Sequence, residues 1–73
     1  MKDKDFLFKI GQKIRILRTQ KNYSQDVLAE KSDSERGHIS NIETGKANPS
    51  ILYLKQIAEA LECDISELLK FTI

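Results

Sequence analysis

The sequence has little of what several protein classes require. Its single cysteine, Cys63, allows no internal disulfide, which favours a reducing compartment and a cytoplasmic protein. No apolar run approaches the roughly 18–20 residues of a membrane helix. The charged start at residues 1–5 is unlike a signal peptide. Neither a membrane nor an export route is therefore expected.

Catalytic and metal-binding patterns are also missing. The only histidine, His38, has no Cys/His cluster for zinc and no evident Ser–His–Asp arrangement with Ser24 or Ser40. The three glycines form no Gly-rich phosphate loop, and 73 residues leave little room for a deep cavity. The chain is expected to be one domain, 1–73, with no enzymatic activity, cofactor, metal or small-molecule ligand.

The net charge of +1 hides an uneven distribution along the chain. Residues 1–31 hold eight Lys and Arg against four Asp and Glu, whereas residues 32–73 hold four against seven. This asymmetry predicts a positive face and an acidic far end, which suits a protein that meets phosphates on one side. A solvated surface with chance asymmetry explains the same counts.

Helical spacing dominates, and no stretch alternates apolar and polar residues for long. The predicted helices cover about 4–21, 25–32, 35–43, 51–61 and 65–70. Asn22 and Gly45 are expected to end helices, and Ser24 and Ser50 to cap the next ones. The prediction is an all-α, compact five-helix bundle.

Two finer expectations concern the first and last helices. Phe6, Ile10, Ile14 and Leu17 recur at helical spacing and predict one buried stripe on the first helix. At the other end, the pair at positions 64 and 67 predicts an Asp-x-x-Glu variant of the capping box.

The segment from Ser24 to Gly45 predicts a helix-turn-helix: a two-turn helix, a brief turn and a second short helix. In this motif the second helix enters the DNA major groove and the first lies across the backbone. Ile39 and Ile42 would anchor the second helix to the core. The opposite face is polar, with Arg36, His38, Ser40 and Asn41.

Several segments together resemble the phage repressor/Cro type (XRE-like) of helix-turn-helix protein. They read S-Q-x-x-L-A, I-S-x-I-E-x-G-K, N-P-S, L-x-x-I-A-x-A-L and I-S-E-L-L, and they span about residues 10–70. That family includes phage repressors, antitoxins and controller proteins of restriction–modification systems. The resemblance implies five helices, a third helix that reads bases, and frequent dimerisation.

The resemblance also assigns roles to particular positions. Arg36, Gly37 and Asn41 match base-facing positions, and Gln25 matches a phosphate clamp at a helix N-terminus. The loop residues that match backbone contacts are Thr44, Lys46 and Asn48.

Four further residues are predicted to contact DNA with less specific roles. His38 is a base-contact candidate, and the alternatives are that it stacks on the sugar–phosphate backbone or covers its own helix. Glu35 would either repel phosphate or accept a hydrogen bond from cytosine N4. Ser24 and Ser40 are backbone-contact candidates, and for Ser40 a solvated role fits as well.

Three positions depart from the family pattern. Ser34 stands where an apolar residue usually plugs the turn, and Asp33 stands where glycine is common, although aspartate tolerates a left-handed backbone. Gly37 places a weak helix former in the recognition helix, at a cost of roughly 1 kcal/mol relative to alanine. These departures predict a turn and a recognition helix that are less rigid than usual.

Two groups of residues are interpreted as structural. The resemblance implies a partly buried ion pair between Arg18 and Glu43. The C-terminal apolar residues either plug the bundle or meet a second copy of the chain; they are Leu61, Ile65, Leu68, Leu69, Phe71 and Ile73. A two-fold homodimer would place two recognition helices about 34 Å apart on a palindromic site.

The sequence therefore predicts a dimeric, sequence-specific regulator of transcription that binds double-stranded DNA. A partly matching E-R-x-x-I-S-x-I-E segment and the small size favour a restriction–modification controller protein within that class. The alternative is an antitoxin or another protein–protein interaction module with the same fold. Salt discriminates the two, because binding through phosphate contacts weakens steeply as salt rises.

Overall fold

A computed structural model of the chain describes residues 2–71. The helices are α1 Asp3–Gln20, α2 Gln25–Lys31, α3 Arg36–Glu43 and α4 Ile51–Ala60, followed by a 3₁₀ helix at Ile65–Leu69. Across this range there is no β-strand. The all-α class is thus confirmed, but the expected fifth α-helix is a short 3₁₀ helix.

The helix boundaries follow from local backbone chemistry. The hydroxyl oxygens of Ser24 and Ser50 each accept a hydrogen bond, 3.1 Å long, from the backbone N–H three residues later, so both predicted N-caps are present. Asn22 and Gly45 adopt left-handed φ angles of 61° and 75°, which end α1 and α3 as expected. Glu62 ends α4 in the same way with φ 58°, a position that the sequence analysis did not single out.

The predicted capping box at the start of the 3₁₀ helix is wrong. The carboxylate of Asp64 accepts a hydrogen bond from the Ser66 N–H at 2.9 Å, which lowers the pKa of Asp64. Glu67 does not reach back to complete the box, because its carboxylate accepts from the Lys70 ammonium at 2.8 Å instead. The cap is therefore one-sided.

The core lies between the four α-helices and the 3₁₀ helix. Its buried apolar residues are Ile10, Ile14, Leu28, Ala29, Ile39, Ile42, Leu54, Ile57, Ala58, Leu61 and Leu68. The predicted stripe on α1 is correct at its centre, but Phe6 remains 41% exposed. Phe6 lies in the first turn of α1, where its ring contacts Phe71 edge-on at a centroid distance of 5.7 Å.

The close approach of α1 to α3 depends on Gly11, which the sequence analysis did not single out. Gly11 is buried in the middle of α1, against the end of α3. A Cβ atom at Gly11 would clash with the Ile42 carbonyl oxygen and lie 2.9 Å from both the carbonyl carbon and oxygen of Glu43. Only glycine therefore allows the two backbones to approach this closely, which brings Arg18 of α1 beside Glu43.

The turn between α2 and α3 is closed by hydroxyl groups where an apolar plug is usual. The buried Ser32 hydroxyl donates to the Leu28 carbonyl at 2.7 Å and lies 2.9 Å from the Ser34 hydroxyl. Asp33 between them has φ 55°, the left-handed conformation that aspartate tolerates. These polar contacts give the turn a defined geometry without the apolar side chain.

Candidate nucleic-acid interface

The second helix of the helix-turn-helix, α3, is fixed by one face and free on the other. Ile39 and Ile42 are buried in the core, whereas Arg36, His38 and Asn41 are exposed. Ser40, between these faces, is half-buried. The structure therefore brings the predicted base-facing side chains to one exposed surface, which we call the α3 face: residues 35–38 and 40–41.

Gly37 lies within the α3 face with open space around it. A Cβ atom built there would meet no atom of the described residues within 4 Å. Packing inside the monomer therefore does not require glycine at this position. The absence of a side chain leaves the backbone of the first turn of α3 accessible to a ligand.

At the N-terminus of α3, Arg36 meets an acidic side chain from α2. Its Nε atom lies 3.8 Å from Oδ1 of Asp26, and both side chains are largely exposed. Glu35, the N-cap residue, does not use its carboxylate to cap the helix. The carboxylate of Asp26 beside the predicted base-reading arginine was not anticipated from the sequence.

His38 stacks on the ring of Tyr53 from α4. The two ring centroids are 4.4 Å apart and the planes differ by 6°. One face of the imidazole is therefore covered by protein, which leaves its edges and other face for a ligand. The Tyr53 hydroxyl is buried, without a hydrogen-bond partner among the described residues, so it is not open to a phosphate.

A buried polar network supports the start of α2. Glu43 accepts hydrogen bonds from Nε and Nη2 of Arg18 at 2.6 and 3.1 Å. The side chain of Glu43 is only 3% exposed and that of Arg18 is 11% exposed. The same carboxylate accepts from the amide of Gln25 at 3.1 Å, and Arg18 also donates to the Tyr23 carbonyl at 2.7 Å. The Arg18–Glu43 pair is thus present, and it also orients Gln25, the predicted phosphate clamp.

The predicted backbone-contact residues surround the α3 face. Lys46 and Asn48 are exposed in the loop after α3. Thr44 is exposed too, but its hydroxyl donates to the Ser40 carbonyl at 3.0 Å. In this conformation the Thr44 oxygen can accept a hydrogen bond but has no free proton to donate. Ser24 likewise uses its oxygen to cap α2 and keeps its hydroxyl proton available.

The charge split along the sequence does not produce a purely basic face and a purely acidic one. Lys21 of the basic half donates to Glu62 of the acidic half at 2.8 Å, which raises the pKa of Lys21 and lowers the pKa of Glu62. Meanwhile Asp26, Asp33 and Glu35 are exposed around the helix-turn-helix. Folding brings distant parts of the chain together, so linear blocks of charge become mixed.

An apolar groove of about 370 Å³ lies beside the loop that follows α3. It is lined by Asp3, Phe6, Leu7, Ile10, Asn48, Pro49, Ile51, Leu54, Ile65 and Leu69. Ile51 is 72% exposed and Leu69 is 44% exposed, so two large side chains at the groove face solvent.

The C-terminal residues predicted to form a dimer interface divide into two groups. Leu61 and Leu68 are 2% and 0% exposed and belong to the monomer core, so they cannot face a second copy. Ile65, Leu69 and Phe71 remain at least partly exposed. Ile73 lies outside the described residues.

Other candidate chemistry is sparse. Burial, with Glu67 and Asp64 nearby, raises the pKa of the Cys63 thiol, as fits a residue packed against the core. Within residues 2–71, no group of three or more His, Cys, Asp or Glu side chains is placed to hold a metal ion. No helix in the same range is long and apolar enough to cross a membrane.

The fold and the α3 face together define a helix-turn-helix protein. Residues 14–68 match the model of the HTH_3 helix-turn-helix family, and the chain belongs to that family. It is 43% identical over 63 residues to the control protein C.BamHI of Bacillus amyloliquefaciens. The aligned region covers 85% of this chain and 78% of that protein.

Solved structures show the same fold. The restriction–modification controller protein C.AhdI from Aeromonas hydrophila superposes with a TM-score of 0.84 at 39% identity, over 85% of this chain and 94% of that one. SinR, the master regulator for biofilm formation, was solved in complex with DNA and superposes with a TM-score of 0.78 at 37% identity, over 84% and 98%. The chain spans only 40–55% of the length of several curated regulators that it matches.

Proposed function

We propose that this chain is a sequence-specific, double-stranded DNA-binding regulator of transcription that inserts α3 into the major groove. The observation that carries this proposal is the α3 face itself. One side of α3 is fixed in the core by Ile39 and Ile42, and the other presents Arg36, His38 and Asn41 as exposed side chains. A short helix held in this way is the reading element of the motif.

The proposed contacts follow from the geometry around α3. Arg36 donates to O6 and N7 of a guanine, and Asn41 pairs with an adenine. His38 presents a ring edge whose orientation is set by Tyr53, and Gly37 lets the backbone approach the DNA. Gln25, Ser24 and Ser40 bind phosphates on one side of α3, and Lys46 and Asn48 bind phosphates on the other. Thr44 joins them only when its hydroxyl releases the Ser40 carbonyl, to which it donates at 3.0 Å.

Replacing Arg36 by alanine tests this proposal. Loss of a bidentate guanine contact costs about 1–3 kcal/mol, so affinity for the selected duplex falls about 5- to 150-fold. Fluorescence anisotropy at two salt concentrations measures both affinity and salt dependence. The matched control is Lys31→Ala, which removes the other cation of segment 24–44. The Lys31 ammonium lies on α2, 5.2 Å from the centroid of the Tyr23 ring, and not on α3. Equal losses in the two variants would contradict base reading by Arg36.

We propose further that the protein binds DNA as a two-fold homodimer through the apolar groove. Large apolar side chains are exposed at the groove, and burying them between copies is favourable. Asn48 of the phosphate-contact loop lines the same groove. A second copy at this place would therefore lie next to the same DNA, as two half-sites require.

Leu69→Asp is expected to weaken dimerisation and operator binding together, because it places a charge in the apolar interface. Sedimentation velocity and a gel shift on the same samples measure the two effects. Ile16→Asp is the control, since Ile16 is 50% exposed on α1 and does not line the groove. A Leu69→Asp protein that remains a dimer would show that the copies meet elsewhere.

Within this class we propose a cytoplasmic regulator of the restriction–modification controller type, without enzymatic activity. Support comes from how much of two controller proteins aligns with this chain: 78% of the length of C.BamHI and 94% of that of C.AhdI. A promoter reporter driven by the DNA upstream of its own gene tests this proposal. Expression that changes with the amount of this protein supports a controller, whereas no response contradicts one.

A further inference from the structure

The helix-turn-helix of this chain is unusually acidic for a surface that meets DNA. Segment 24–44 contains five Asp and Glu residues and only two cations, Lys31 and Arg36. Among the acids only Glu43 is buried, whereas Asp26, Glu30, Asp33 and Glu35 are exposed. Arg36 is therefore the one Lys or Arg residue of α3, in a segment where exposed carboxylates outnumber cations.

The structure shows which carboxylate engages that cation. Oδ1 of Asp26 lies 3.8 Å from Nε of Arg36, and the side chains are 73% and 67% exposed. Asp26 belongs to the first turn of α2, which is capped by Ser24, whereas Arg36 begins α3. The pair thus spans the two helices at the end where α3 would enter the groove.

We propose that Asp26 is a positioning residue that sets sequence specificity through Arg36. This inference rests on the proposed DNA-binding function and names a residue that discriminates between correct and incorrect sites. Asp26 holds the guanidinium above the first turn of α3. Its negative charge opposes capture of that guanidinium by a DNA phosphate.

Asp26 affects the contacts of Arg36 with bases and with phosphates differently, because of the shape of the guanidinium group. Arginine has five N–H donors, so one edge can stay near Asp26 while the other donates to guanine O6 and N7. A phosphate that approaches the same arginine brings a second negative charge close to Asp26, which is unfavourable. Binding at non-specific sites depends on phosphate contacts almost entirely, so Asp26 penalises those sites more.

Asp26→Asn removes the charge and keeps the shape of the side chain. We expect affinity for a scrambled duplex to rise about two- to fivefold at low salt, the range expected for one exposed charge interaction. Affinity for the selected duplex should change little, because the lost positioning of Arg36 offsets the reduced repulsion. The ratio of specific to non-specific affinity therefore falls. Anisotropy titrations of both duplexes measure the ratio, and thermal melting verifies that the fold is intact.

Two comparisons separate this effect from net charge. Asp33→Asn makes the same charge change in the turn between α2 and α3. Asparagine tolerates the left-handed backbone at this position, and Asp33 forms no ion pair with Arg36 among the described residues. Asp26→Asn is also made in an Arg36→Ala background, where an effect that acts through Arg36 disappears. A specificity ratio that falls equally in Asp33→Asn, or that still falls without Arg36, would overturn the proposal.

Failure of this inference is distinguishable from failure of the proposed function. If wild type prefers the selected duplex and Asp26→Asn leaves the preference unchanged, Asp26 has no positioning role and the DNA-binding proposal stands. If wild type shows no preference for any duplex, both proposals are contradicted.

Discussion

Replacing Glu43 by alanine is expected to lower the free energy of unfolding by about 3–5 kcal/mol, the usual cost of breaking a buried ion pair. Glu43 is nearly fully buried and accepts hydrogen bonds from both Arg18 and Gln25. Its removal leaves a buried guanidinium without a counter-charge. A chain of 73 residues has a total stability of roughly 4–11 kcal/mol, so much of the margin is lost.

Chemical denaturation and thermal melting measure this loss, and the melting temperature should fall by about 12 °C or more. The control is the double variant Arg18→Met with Glu43→Leu, in which no buried charge remains. Because apolar replacement of a whole buried pair is often neutral, this variant should melt above Glu43→Ala. DNA binding by Glu43→Ala should also weaken, since Gln25 loses the partner that orients it. Unchanged melting of Glu43→Ala would refute the structural role.

Gly11→Ala is expected to be the second most damaging change, at a cost of about 3 kcal/mol. The added methyl group would overlap the backbone of Ile42 and Glu43, which cannot move without displacing the end of α3. Overpacking of this kind typically costs about 1–3 kcal/mol, and rigid backbone atoms favour the upper end. This loss exceeds the gain of up to about 1 kcal/mol that alanine gives over glycine in a helix.

Gly37→Ala is the matched control, because it makes the same substitution in a helix with open space around the new methyl group. We expect Gly37→Ala to raise the free energy of unfolding by up to about 1 kcal/mol. Denaturant titrations of the two variants should therefore shift in opposite directions. If Gly11→Ala is as stable as wild type, α1 and α3 are not in backbone contact.

The sequence predicted the helices well, because their signals are local. Ser24 and Ser50 cap the helices that they were expected to cap, and Asn22 and Gly45 end theirs with left-handed angles. The order of elements and the exposed polar side of α3 followed from spacing alone. The family resemblance supplied the Arg18–Glu43 pair, which residue spacing does not reveal.

Features that depend on tertiary packing were missed. Nothing local shows that Gly11 lies against α3, although an isolated glycine inside a helical pattern is itself a signal of close packing. The contact of Asp26 with Arg36 and the stack of His38 on Tyr53 join different helices. Leu61 and Leu68 looked like surplus apolar residues, because the sequence does not show how much of the core the 3₁₀ helix completes.

Selection of bound duplexes from a random DNA pool tests the central claim most directly. The proposal predicts an enriched palindrome whose half-sites lie about one helical turn apart and contain a guanine that Arg36→Ala no longer requires. No enriched sequence, with weak binding that fades uniformly as salt rises, would contradict sequence reading by α3 and favour an interaction module with the same fold.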